Sequence, residues 1–187
     1  VRLGDRVAIG EVDTGFFNSS RRTRGEKSSL YEGGIRVPQI VLWPGVTTPG
    51  SVTDVPVSSV DIYPTLCSVM DVPVPNPDTI DGADLTPLLA NNPQAFPDRA
   101  IFWHFPHYRD PHPYSALRYG DWKLLREYTG TTTQYRLTNL ASDIGETSNL
   151  ADTFPARRME LESMMDAIIR STEARMPIPI ASTEQEP

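Results

Sequence analysis

The chain has 187 residues, of which 39% are hydrophobic and 22% charged, and this length and composition suit a folded domain with its own core rather than a disordered segment. A net charge of -7 excludes nucleic acid as a partner, because binding a polyanion needs clustered Lys and Arg over a large face. The single Cys67 excludes an intrachain disulfide framework and a cysteine-only zinc site, and no apolar run approaches the roughly 20 residues that cross a bilayer.

No signal-peptide core precedes the first element, and Val1 in place of methionine fits a truncated, processed or alternatively initiated product. Residues 1–29 are polar and irregular, with Val7-Ala8-Ile9 as the one early strand candidate. Pro38-Gln39-Ile40-Val41-Leu42-Trp43-Pro44-Gly45 is a short apolar run closed by a Pro-Gly turn, the pattern of a strand buried on both faces of an α/β sheet. From Ser58, the spacing of Ile62, Leu66, Val69 and Met70 predicts a core helix, capped by Ser59 or Asp61, with Cys67 as an inert buried thiol.

Residues 71–98 are rich in Pro, Asp and Asn, and Leu85, Leu88 and Leu89 suggest one brief helix there. Four segments follow, 99–105, 115–119, 121–128 and 133–140, whose aromatic and apolar residues alternate between turns at Gly120 and Gly130 and predict a small antiparallel sheet. Leu161, Met164, Met165, Ile168 and Ile169 recur at helical spacing opposite a charged face, so an amphipathic helix should pack on that sheet. The expected organisation is a large-domain portion over 1–90, a small α+β subdomain over 91–176 and a disordered tail over 177–187.

The segment Gly25-Glu26-Lys27-Ser28-Ser29-Leu30-Tyr31-Glu32-Gly33-Gly34-Ile35-Arg36-Val37-Pro38 carries the chemistry. Paired glycines permit close backbone approach, Glu32 and Arg36 are spaced to brace a turn by an ion pair, and Lys27 offers a point charge on a flexible stem. The residues alone leave two readings, an anion site or a solvated loop lysine. Lys27 through Pro38 is similar to the Lys-x-x-x-Tyr-Glu-Gly-Gly-x-Arg-x-Pro stretch of the sulfatase family, whose lysine contacts the substrate's sulfate group. The resemblance continues in order through Ile40 to Gly45, Val57 to Leu66, Asp81-Gly82, Leu88-Leu89, Asp121-Trp122-Lys123-Leu124, Tyr135 to Leu140 and Asp143 to Leu150.

That resemblance implies an alkaline-phosphatase-like α/β fold, a formylglycine nucleophile, a divalent cation, usually calcium, and a sulfated small molecule or glycan as substrate. It also implies a family often exported. By the same comparison the formylglycine segment, of the form Cys/Ser-x-Pro/Ala-x-Arg, has no counterpart in these residues, nor have the early paired aspartates and the Lys-x-His. Asp13, in Asp13-Thr14-Gly15, is the one candidate for the Asp-Asn-Gly metal pair, with a turn residue as the alternative. The expectation is therefore a C-terminal sulfatase portion with Lys27 as its catalytic contribution, inactive alone; the alternative is a non-catalytic remnant or sulfated-glycan binding module.

All three histidines lie in Phe102-Trp103-His104-Phe105-Pro106-His107-Tyr108-Arg109-Asp110-Pro111-His112. Their spacing matches no standard zinc signature, and the segment resembles the one that reaches the mouth of the sulfatase pocket. His104 and His107 are accordingly expected to line the substrate site, with a structural role as the other reading. An apolar strand and helix that lack the rest of a sheet would be left exposed, which predicts self-association.

Overall fold

The computed structural model describes residues 22–108, 112–129 and 132–178. The strand expected at Val7 to Ile9 and the metal candidate Asp13 lie outside the described residues, as does the end of the expected tail.

Four strands, β1 (Ala100–Phe105), β2 (Tyr114–Tyr119), β3 (Trp122–Thr129) and β4 (Thr132–Asn139), pair antiparallel in chain order β1-β2-β3-β4. Each segment matches the alternating pattern read from the sequence. Gly120-Asp121 joins the facing pair Tyr119 and Trp122 in a two-residue turn; Gly120 takes φ +59°, a left-handed conformation that glycine adopts without steric cost.

Because successive strand residues point to opposite faces, the register sorts the sheet into two surfaces. On one, Leu117, Leu124 and Leu137 meet Leu161 and Met165 of α4 (Pro155–Ser171), all fully buried. Pro155 opens α4 at its first turn, where its missing N–H is no loss. Trp122 packs at the margin of this core with its ring edge-on to Phe154 at 5.3 Å. On the other surface, Tyr114, Ala116 and Leu125 meet Leu30, with Tyr31 and Ile35 alongside. These last residues belong to the lysine segment and its helical turn α1 (Glu32–Ile35).

The intervening region holds α2 (Ile62–Val69), entered through a 3-10 turn at Ser59–Asp61, and the brief α3 (Thr86–Leu89). Asp61 is completely buried and acts as a hub. Its carboxylate accepts the Ser58 N–H at 2.7 Å and the Ala83 N–H at 2.9 Å, and it pairs with the Arg99 guanidinium. A Cβ on Gly82 would fall 2.1 Å from the Val60 carbonyl oxygen, so the Asp81-Gly82 pair marks a backbone-on-backbone contact. Cys67 is a buried free thiol in α2, as expected.

Residues 39–42 differ from expectation. They form no strand, and Ile40 is 96% exposed. A strand exists only by pairing, and the four strands of the described residues pair with one another, leaving this run without a neighbour. The outer face of α2 is open in the same way at Ile62, Tyr63, Leu66 and Val69. No helix of the described residues is long and apolar enough to cross a membrane.

Candidate anion site

Residues 24–35 fold into a tight loop closed onto α1. Two left-handed residues, Gly25 (φ +77°) and Ser28 (φ +76°), reverse the chain on either side of Lys27. The Ser29 N–H donates to the Glu26 carbonyl at 2.9 Å, the Gly33 N–H to the Arg24 carbonyl at 2.7 Å, and the Tyr31 N–H to Ser29 Oγ at 3.1 Å. A Cβ on Gly33 would lie 2.2 Å from the Gly25 oxygen and one on Gly34 2.2 Å from the Ser29 oxygen. The paired glycines therefore let α1 seat directly against the loop that presents Lys27. Ser28 is not a glycine, and holding it left-handed costs of order 1–3 kcal/mol unless its surroundings fix it. Lys27 itself is exposed and enters none of the ion pairs of the described residues.

Beneath the loop lies a buried charge cluster. The Lys123 ammonium, 1% exposed, sits 2.9 Å from Glu32 Oε1 and 3.0 Å from Glu146 Oε1. The second oxygen of Glu146 accepts the Glu32 N–H at 2.6 Å, so one carboxylate grips both the first residue of α1 and the lysine below it. Arg36 reaches Glu32 Oε2 at 2.9 Å and Arg118 lies 3.7 Å from the same oxygen. The predicted Glu32–Arg36 brace is thus present, but it is the exposed end of a larger network. Burial lowers the pKa of Arg118, and the nearby Glu32 carboxylate opposes that shift. Arg24 lies over the Tyr31 ring at 4.0 Å and donates to the Glu146 carbonyl at 3.2 Å. Burial also raises the Tyr31 pKa, so its phenol stays neutral.

The two histidines separate. Alternation along β1 puts His104 on the α4 surface of the sheet, away from the Lys27 loop. There Nδ1 lies 2.8 Å from Ser115 Oγ and Nε2 2.7 Å from the Arg175 carbonyl, so both ring nitrogens are engaged within the protein. His107 is exposed, with its ring edge-on to Phe105 at 5.2 Å, and Phe105 packs with Tyr114 in the cluster that seats Leu30. Among the described residues, no three His, Cys, Asp or Glu side chains converge as a metal site. The buried carboxylates Glu32, Glu146 and Asp61 are each already paired with a lysine or arginine, so the described donor set does not fit calcium.

Sequence reasoning missed Lys123, Glu146 and Tyr114. A signal was present for the first: Lys27 and Lys123 are the only two lysines of the chain, every other basic residue being arginine or histidine. Glu146 takes φ +50°, a rare conformation for glutamate, within the loop that carries its side chain under α1.

The described residues thus combine a braced lysine loop with an antiparallel sheet covered by a helix. The family model for N-sulphoglucosamine sulphohydrolase, C-terminal, matches residues 24–173, and the chain belongs to the sulfatase family, of which it forms a C-terminal portion, sharing the alkaline-phosphatase-like fold of the solved structures it superposes on. It is 36% identical over 166 residues to a sulfatase of Formosa agariphila, covering 82% of this chain and 29% of that one. Arylsulfatase K of Rattus norvegicus is 32% identical over 149 residues, covering 76% of this chain and 26% of the relative. The solved structure of Ps i-CgsB in complex with k-i-k-neocarrahexaose superposes with a TM-score of 0.68 at 26% identity, covering 86% of this chain and 34% of the other. The chain thus spans about a third or less of the length of these relatives.

Proposed function

We propose that this chain supplies Lys27 to the sulfate group of a sulfated glycan or small molecule, as one part of a sulfuric ester hydrolase whose other catalytic groups lie outside its residues. The observation that carries this reading is the placement of Lys27: a single exposed ammonium on a strained loop whose neighbours are all tied down. In sulfate transfer, negative charge on the sulfuryl oxygens needs fixed positive partners, and an ammonium held by a rigid loop provides one with little reorganisation. Arginine serves elsewhere on this chain, but at Lys27 a compact point charge suits a tetrahedral oxyanion approached from one side.

His107 is the better placed of the two histidines to meet substrate, since it is exposed beside the cluster that seats the lysine loop. The carbohydrate held by Ps i-CgsB supports a glycan as the substrate class. Calcium belongs to this proposal only through the family, with Asp13 as this chain's candidate ligand. The alternative is a non-catalytic remnant or a module that binds sulfated glycans.

The test is hydrolysis of a chromogenic aryl sulfate by the purified chain with calcium, beside Lys27→Ala. No turnover from either protein is expected, together with weaker retention of the Lys27→Ala chain on a sulfated-polysaccharide matrix. Turnover that Lys27→Ala abolishes would overturn the incompleteness, and equal retention would overturn the role of Lys27. We also propose that the open faces at Ile40, Leu42, Ile62 and Leu66 drive self-association of the chain on its own. Sedimentation should show a mass that rises with concentration, and a monomer at all concentrations would refute this.

A further inference from the structure

We propose that Tyr114 is a positioning residue for Lys27, acting from the small sheet on the loop that carries the lysine; this inference rests on the reading of Lys27 as the sulfate-contacting group. The Tyr114 hydroxyl donates to the Ser28 carbonyl at 2.8 Å, across 86 residues of sequence. Ser28 follows Lys27 directly and is the residue held at φ +76° without being a glycine. A left-handed serine persists only where its surroundings fix its peptide groups, and the tyrosine hydrogen bond takes hold of the carbonyl of that very residue.

The geometry makes Tyr114 suited to this task. It is 6% exposed, and its ring packs in the cluster of Leu30, Ala116 and Leu125, so its hydroxyl is delivered from a rigid strand. Two places below it on the same surface of β2, Arg118 faces Lys123 across the β2–β3 pair, and Lys123 holds Glu32 at the far end of the loop. The loop is therefore fixed at two points from one sheet surface, by Tyr114 beside Lys27 and by Lys123 at the start of α1. Lys27 itself contributes nothing to this hold and remains free for an anion. The consequence is that the small subdomain sets where the ammonium sits, even though it offers the anion no charge at that point.

The test uses the whole chain, reductively methylated with 13C in its folded state. With only two lysines, the exposed Lys27 resonance is identified by its loss in Lys27→Ala. Tyr114→Phe removes one hydroxyl and keeps the ring, so the cluster that seats Leu30 is retained. Inorganic sulfate and then a sulfated oligosaccharide are titrated against both proteins, and amide exchange is followed in parallel. The expected result is that residues 27–31 of Tyr114→Phe lose protection while β3 amides keep theirs, and that about threefold to tenfold more ligand is needed to shift Lys27, the range for one lost hydrogen bond. Unchanged protection over 27–31 would overturn the inference, as would an equal loss across β3, which would mean that Tyr114 only stabilises the fold. If Lys27 in the unsubstituted chain responds to neither ligand, the sulfate reading fails, and the exchange data still decide whether Tyr114 holds the loop.

Discussion

The two surfaces of the small sheet solve the same packing problem with different chemistry. The centre of the α4 surface is aliphatic, Leu117, Leu124 and Leu137 against Leu161 and Met165, with Arg126 at its edge paired to Asp166 at 2.7 Å. The opposite surface mixes a modest apolar cluster around Leu30 with the buried Lys123, Glu32 and Glu146. Apolar burial stabilises without direction, so the aliphatic contacts fix little beyond the presence of the helix, and the Arg126–Asp166 pair adds one directional tie at their edge. A buried ion pair loses hydration on both partners and is satisfied in few geometries, so the opposite surface specifies where the lysine loop lies. One surface holds α4 to the sheet and the other holds the loop that carries Lys27.

Exchanging the two kinds of damage tests that contrast. Lys123→Met leaves two buried carboxylates facing each other without their shared cation, and the expected cost is about 3–5 kcal/mol. Leu161→Ala opens a cavity under α4 at an expected cost of about 2–5 kcal/mol. The stabilities overlap, but the local consequences should not. In urea titrations monitored by amide exchange, Lys123→Met should release residues 24–35 below the global transition. Leu161→Ala should lower the transition of the whole sheet and leave the relative protection of the loop unchanged. Matching exchange patterns in the two variants would remove the distinction between the surfaces.

The legibility of the sequence follows the same division. The strands and α4 were readable because each carries a local period, as in Leu161, Met164, Met165 and Ile168, and the strands pair with their neighbours in chain order. Residues 39–42 carried an equally clear strand pattern, yet pattern states only what a segment could bury; whether it pairs depends on a neighbour that the described residues do not supply. Within the site, the Glu32–Arg36 brace was visible from i,i+4 spacing. The contacts of Glu32 with Lys123 and of Glu32 with Glu146 join residues 91 and 114 positions apart, and no local rule reports such distances. The different settings of His104 and His107 were unreadable for a related reason. Their residue types made them alike, and the pleat of β1 put His104 on the α4 surface.

The smallest effect concerns the loop that carries Glu146 to Lys123. Asp143 accepts the Ser148 N–H at 2.9 Å and the Thr147 hydroxyl at 3.0 Å, which closes residues 143–148 around Glu146. The Ser148 backbone bond, with those from Thr147 and the field of Arg136, holds the Asp143 pKa below its ordinary value against the opposing effect of burial. A folded pKa below the unfolded one means that the unfolded loop binds the proton more tightly. The stabilisation is therefore fully present above the ordinary aspartate value of about 4 and is lost as pH falls through the lower folded value. Acid should thus loosen residues 143–148, and with them the grip of Glu146 on α1, while the aliphatic contacts under α4 carry no proton to gain. Protection of the Glu146 and Ser148 amides, measured from pH 6 downward, should decline in the unsubstituted chain below about pH 4 and be low and nearly flat in Asp143→Asn. The same decline in both proteins would show that the acid response of this surface arises at another carboxylate.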